Sequence, residues 1–233
     1  MLELPRLWLS PGGNALPWGG DAPGMYASVP WEALPPIGPC DGSFAWLLPL
    51  PPGIKGMDNA MWELEGEANV RAHLAALDTE ARALGARLPA EFVRFMTTPS
   101  LFGRVLSCTG CYFDLRGDSD GGDDDDDGGG DAGRTALVPI SGHSGNARLV
   151  CFMSELARSW YLLLDGAEPP RVVTGWHNPD DGFHLVDLTV CADSFETFIR
   201  RFWIENLLWF RHHAGEPADG ELRAYLDEAR THA

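Results

Sequence analysis

The sequence predicts an α+β fold in which an antiparallel β-sheet meander has helices packed before and after it. Three observations carry this expectation. An apolar stripe at helical spacing runs through residues 59–84, short apolar runs punctuated by Gly and Pro fill 103–188, and a broadly apolar helix follows Asp193. The runs lie too close together for helical crossovers, so neighbouring strands should be antiparallel.

Residues 1–56 are rich in Pro and Gly, and Trp8, Trp18, Trp31 and Trp46 are spread among them. Pro35-Pro36-Ile37-Gly38-Pro39 interrupts helix and sheet hydrogen bonding alike. The tryptophans call for an apolar surface, so this segment reads as an irregular extension or short strands packed on the main domain. That domain is placed at 57–215, and a short C-terminal helix and tail at 216–233.

Val70, Leu74, Leu77, Ala81, Leu84 and Leu88 recur every three or four residues, which is one face of a helix from about Asn59 to Leu84. Glu67 with Arg71 and Asp78 with Arg82 are i,i+4 pairs in the favourable orientation. Gly85 suits a helix stop. A second helix should begin at Pro89, with Glu91 in its first turn and Phe92, Phe95 and Met96 turned inward. The strand expectations are 105–115, 149–153, 160–164, 171–176 and 184–188, with Pro and Gly turns between them. In the last long helix, Asp193 is the expected N-cap and Glu196 completes a capping box. Arg211, His212 and His213 suit its C-terminal end, Gly215 its stop, and residues 221–229 a last short helix.

Composition narrows the function. The formal charge is -17, with 34 acidic against 17 basic residues, which argues against nucleic acid and for a basic protein partner. Eight of the acids lie between Asp118 and Asp131, so the rest of the chain still carries -9. No run approaches a membrane span, the first residues do not resemble a secretory signal, and five sparse cysteines suit a reducing compartment. The expected location is cytoplasmic, without membrane attachment.

Candidate chemistry is sparse. Cys108-Thr-Gly-Cys111 has the spacing of half a zinc site or of a redox pair, but no second ligand pair accompanies it. Cysteines at a strand bend are the simpler reading. Gly142-His143-Ser144-Gly145-Asn146 lacks the last glycine and the strand–helix context of a nucleophile elbow. No catalytic residue, metal site or cofactor is therefore assigned. The run containing Asp118, Asp120, Asp123, Asp124, Asp125, Asp126 and Asp127 reads as a solvated, disordered insertion over 117–133, with an electrostatic lure for a basic partner as its functional alternative. Trp176 and His177, at a strand end before a Pro-Asp-Asp-Gly turn, are the other candidate partner-binding residues, with a core Trp followed by a polar turn as the simpler reading. Deleting residues 118–131 should leave the thermal midpoint unchanged, because the run brings no apolar burial. A drop of many degrees on calorimetry would make it structural instead.

Three stretches bear a family likeness. They are Glu80–Met96 with its Leu88-Pro89-Ala90-Glu91-Phe92, the meander through 149–153, 159–165 and 171–173, and the closing Ser194-Phe195-Glu196-Thr197-Phe198 helix. In this order they resemble the SUKH superfamily, which takes in the fungal Smi/Knr cell-wall regulators and bacterial toxin-immunity relatives. The first 56 residues and the Asp/Gly insertion depart from that pattern. The resemblance implies a non-enzymatic binding domain, and for a bacterial member an immunity protein that neutralises a cognate toxin, often a nuclease, by direct contact. A regulatory or scaffold protein without a toxin partner is the alternative it leaves. A small metal- or thiol-dependent enzyme built on Cys108 and Cys111 comes third. The resemblance transfers no site residues.

Overall fold

The computed structural model describes residues 1–12, 15–18, 26–50, 55–115, 137–141, 145–155, 158–175 and 183–232, apart from the side chains of Met61, Glu65, Phe183 and Leu185. The architecture is α+β. Helices α1 (Ala60–Ala83), α2 (Ala90–Met96) and the single turn α3 (Pro99–Phe102) precede most of the sheet, and α4 (Phe195–Ala214) and α5 (Gly220–His232) follow it. The strands are β1 (Leu7–Ser10), β2 (Ala27–Pro30), β3 (Tyr112–Phe113), β4 (Val138–Ser141), β5 (Arg148–Glu155), β6 (Arg158–Leu164), β7 (Arg171–Gly175), β8 (Phe183–His184) and β9 (Thr189–Ala192). The main sheet runs β8-β4-β5-β6-β7-β9, with β3 also paired to β5. Its pairings are antiparallel except β4 with β8.

The α1 stripe forms as the spacing requires, with Val70, Leu74, Leu77 and Ala81 buried. Asn59 caps the helix by accepting from the Trp62 amide at 3.1 Å. One feature was not expected: Gly66, at φ 78° and ψ 173°, breaks the helix near its start. That conformation is open to glycine and costly for other residues. At the far end Gly85 (φ 81°) donates to the Arg82 carbonyl and Ala86 donates to that of Ala81, a Schellman closure. Phe92, Phe95 and Met96 of α2 are fully buried.

Two strand expectations need correction. Only Tyr112–Phe113 of 105–115 is strand. Ser107 Oγ accepts from the Thr109 and Cys111 amides (3.3 and 2.9 Å), and Gly110 turns the chain at φ 85°. The side chain of Ser107 thus offers the backbone a turn in place of a ladder. Of 184–188, only His184 is strand, as the second residue of β8, followed by a 3-10 turn at Leu185–Asp187. The strand beside β7 is instead β9, where Val190, Cys191 and Ala192 are buried.

Both faces of the meander are covered. On one, Val150, Phe152, Met153, Trp160, Leu162 and Val172 meet the helices. A register shift between Cys151 and Met153 lets the adjacent Phe152 and Met153 face the same side. On the other, Leu149, Cys151, Tyr161, Leu163, Val173 and Val190 form a second cluster, against which Leu2 and Leu4 pack. The N-terminal strap is held there by Leu2 N to Asp165 Oδ2 (2.6 Å), Arg171 to the Leu2 carbonyl (2.9 Å) and Val190 N to the Pro5 carbonyl (2.8 Å). The Pro- and Trp-rich segment is equally integrated, since Trp8, Leu16, Val29, Phe44 and Leu47 belong to the main core.

The cap of α4 is also corrected. Ser194, not Asp193, accepts from the Thr197 amide at 3.2 Å. Asp193 pairs with Arg6 at 2.6 Å, and Glu196 turns to the extension rather than to the cap. Ser194→Ala should therefore cost about 1 kcal/mol of unfolding free energy. Asp193→Ala, which removes an exposed pair, should cost less than about 0.5 kcal/mol in the same urea titrations. The reverse ranking would restore Asp193 as the cap.

Candidate functional site

Along α4, Glu196, Arg200, Arg201, Glu205 and Asn206 are all buried. Each reaches another part of the chain. Glu196 accepts from the Gly42 amide (2.6 Å) and Trp46 Nε1 (2.9 Å). Arg200 donates to the Pro39 carbonyl (2.6 Å) and Glu221 (2.5 Å), and Gly38 leaves it room, since a Cβ there would lie 2.5 Å from its guanidinium. Asn206 Oδ1 accepts from the Cys108 amide at 2.7 Å. Glu205 is fully buried and accepts from Trp8 Nε1 (2.9 Å), Ser10 Oγ (2.5 Å) and the Tyr225 hydroxyl (2.5 Å). Arg201 donates in turn to Tyr225 at 2.9 Å. Burial raises the Glu205 carboxyl above its ordinary range, although these donors and Arg201 pull the other way. These groups tie the extension and α5 to α4, which is a structural task.

The Cys108–Cys111 turn faces the same extension. Cys108 Sγ donates to the Pro11 carbonyl at 3.0 Å, and Cys111 Sγ lies 3.2 Å from the Tyr26 hydroxyl. Pro11 directly follows β1 and Tyr26 directly precedes β2, so the two thiols touch both ends of the connection between those strands. Tyr26 also donates to Glu155, and Thr109 completes the cluster. Burial pushes both thiols up to about 12, and burial raises Glu155 as well. A thiolate is thus strongly disfavoured at neutral pH. A small disulfide reagent at pH 8 should label Cys108 and Cys111 on the order of a hundredfold more slowly in the native chain than in urea. Rapid native labelling would reopen thiol chemistry at this turn. All five cysteines are free, and among the described residues no group of His, Cys, Asp and Glu is arranged to hold a metal ion.

A cleft of about 810 Å³ opens between α1, the α1–α2 turn, α2 and the β6–β7 connection. Ala75, Pro89 and Val93 contribute its apolar surface, with Pro169 opposite, over a buried floor of Leu74 and Leu88. Asp78 braces the turn by accepting from the Leu88 amide (3.0 Å) while pairing with Arg82 (2.7 Å). Arg71 is paired with Glu67 at 2.8 Å. Arg87, Glu91 and Glu168 also line the cleft, and none makes a hydrogen bond or ion pair with another residue. Arg87 is the one arginine among the described residues of which this is true.

The residues singled out from the sequence fall elsewhere. Asp118, Asp120, Asp123, Asp124, Asp125, Asp126, Asp127, Trp176 and His177 lie outside the described residues, as do His143 and Ser144. His212 and His213 sit at the end of α4, where His213 stacks on Trp209 with ring centres 3.9 Å apart. The cleft was not anticipated. Its one sequence signal is that Glu67/Arg71 and Asp78/Arg82 are matched within the helix, whereas Arg87 falls beyond the Gly85 stop. No helix among the described residues is long and apolar enough to cross a membrane. No protein-family model, curated protein or solved structure matches the chain.

Proposed function

We propose that the chain is a non-enzymatic, cytoplasmic protein-binding module of the SUKH immunity type, which neutralises a cognate basic toxin by direct contact. The observation that carries this reading is the charge. The chain stands at -17, and at -9 without the Asp-rich insertion, so a partner with a basic cleft, such as a nuclease, is drawn to the folded body itself. The three stretches that resemble the superfamily also support it, because they meet in one aromatic cluster. Phe195 lies 5.0 Å from Phe92, 5.3 Å from Phe95 and 5.2 Å from Phe152, ring centre to ring centre. The use of Glu196, Glu205, Arg200 and Arg201 in tying the chain together favours binding over catalysis. So do the protonated thiols, which count against an enzyme built on Cys108 and Cys111.

The test is co-expression with the product of the adjacent gene. Immunity predicts that this product is toxic alone, is harmless with the chain present, and co-purifies with it. A neighbour that is not toxic, or whose toxicity the chain leaves unchanged, removes the immunity reading and favours a regulatory or scaffold role. The lure reading of Asp118–Asp131 has its own measurement. Its deletion should slow association and flatten the dependence of the on-rate on salt, with the dissociation rate unchanged.

A further inference from the structure

The cleft beside α1 combines features that the tying network of α4 does not use. Its apolar surface, Ala75, Pro89 and Val93 over the buried Leu74 and Leu88, is held by a turn that Asp78 braces from within α1. Two of its arginines are already neutralised, Arg71 by Glu67 and Arg82 by Asp78. What remains uncompensated is one cation, Arg87, and two anions, Glu91 and Glu168. In a chain with half as many basic as acidic residues, the other described arginines all have partners, so an unengaged one in a cleft stands out. Peptide-recognition clefts join apolar surface to a few polar groups that set direction and register.

We propose that this cleft docks an extended peptide segment of the protein partner, one that brings a carboxylate to Arg87, a basic side chain to Glu91 and Glu168, and apolar side chains to the surface between them. The proposal rests on the binding-module reading and names its surface. The long-range negative field brings a basic partner close, and the local charges of opposite sign select the register. A uniformly basic segment would meet Arg87 as a repulsion, and a uniformly acidic one would meet Glu91 and Glu168. A bare anion would satisfy Arg87 alone and leave the apolar surface uncovered.

The experiment pans the full chain against a display library of random linear peptides and measures enriched peptides as synthetic ligands. Enriched sequences should combine an acidic and a basic residue with apolar positions. Arg87→Glu should weaken their binding by about tenfold or more, as loss of a charge pair does. Ala75→Trp, which fills the cleft from an exposed position on α1, should abolish it, and Arg223→Ala on α5 should change nothing. Unchanged thermal midpoints certify that the variants fold. Peptides that bind wild type and both cleft variants alike would overturn the proposal. So would a library that yields no binder, or binding that inorganic phosphate displaces completely. The two readings fail separately. An Arg87→Glu chain that still protects fully against the toxin removes the cleft and leaves immunity standing. Peptides that depend on the cleft, in a chain that protects against nothing, do the reverse.

Discussion

Replacing Glu205 by alanine should lower the unfolding free energy by roughly 3–5 kcal/mol, the cost of leaving three buried donors without their acceptor and a buried arginine less well compensated. The loss has two sources. Trp8 Nε1, Ser10 Oγ and the Tyr225 hydroxyl each donate to this carboxylate, and removing it leaves three buried donors without their acceptor. Arg201, itself buried, loses the opposing charge it reaches through Tyr225. Urea titration followed by tryptophan fluorescence measures the effect, and a change below about 1 kcal/mol would show that the network is dispensable. Glu205→Gln keeps an acceptor and should cost less. The pH dependence of that comparison has a definite sign. The carboxyl is raised in the folded chain, so folding binds a proton more tightly than the unfolded chain does. Its contribution is complete below the ordinary value of 4.5 and is lost as pH rises through the raised value. The Gln variant has no such titration, so its stability should improve relative to wild type as the pH climbs from acidic to neutral.

Phe195→Ala is expected to be of similar size, about 3–5 kcal/mol, for a different reason. Phe195 is fully buried at the first turn of α4 and touches Phe44, Phe92, Phe95 and Phe152 edge-on. Its removal opens a cavity where the extension, α2, β5 and α4 converge, and four rings cannot close it without leaving their own packing. For a chain of this length the midpoint should fall by roughly 6–20 °C. Phe210→Ala is the control. That ring lies half-buried near the end of the same helix beside Trp209, and it should cost under about 1 kcal/mol. Equal losses at the two positions would mean that the stability of α4, and not the aromatic cluster, was being measured.

Local signals were legible wherever one element decided its own outcome. The α1 stripe, the Gly85 stop, the inward triple of α2 and the Gly215 end of α4 depend on helical spacing and on a left-handed glycine. Signals failed where neighbours competed. Asp193 and Ser194 both suit a cap, and Arg6, more than 180 residues away in the chain, takes the aspartate. The run at 105–115 has strand composition, yet Ser107 and Gly110 fold it into a turn whose thiols meet the extension. The cleft was illegible for a related reason, since Glu168, Pro169 and Pro170 join it from a sheet connection that sequence spacing does not place.

By itself the sequence determined the fold class, the acidity and the helix periods, because these depend on composition and on intervals of three or four residues. Only the tertiary structure decided what the polar residues of α4 do. Glu196, Arg200, Arg201, Glu205 and Asn206 would face water on an isolated helix, and they are buried because Trp8, Ser10, Pro39, Gly42, Trp46, Cys108 and α5 close over them. A buried charge needs partners supplied by distant segments, and which segments arrive is settled by packing, not by local propensity.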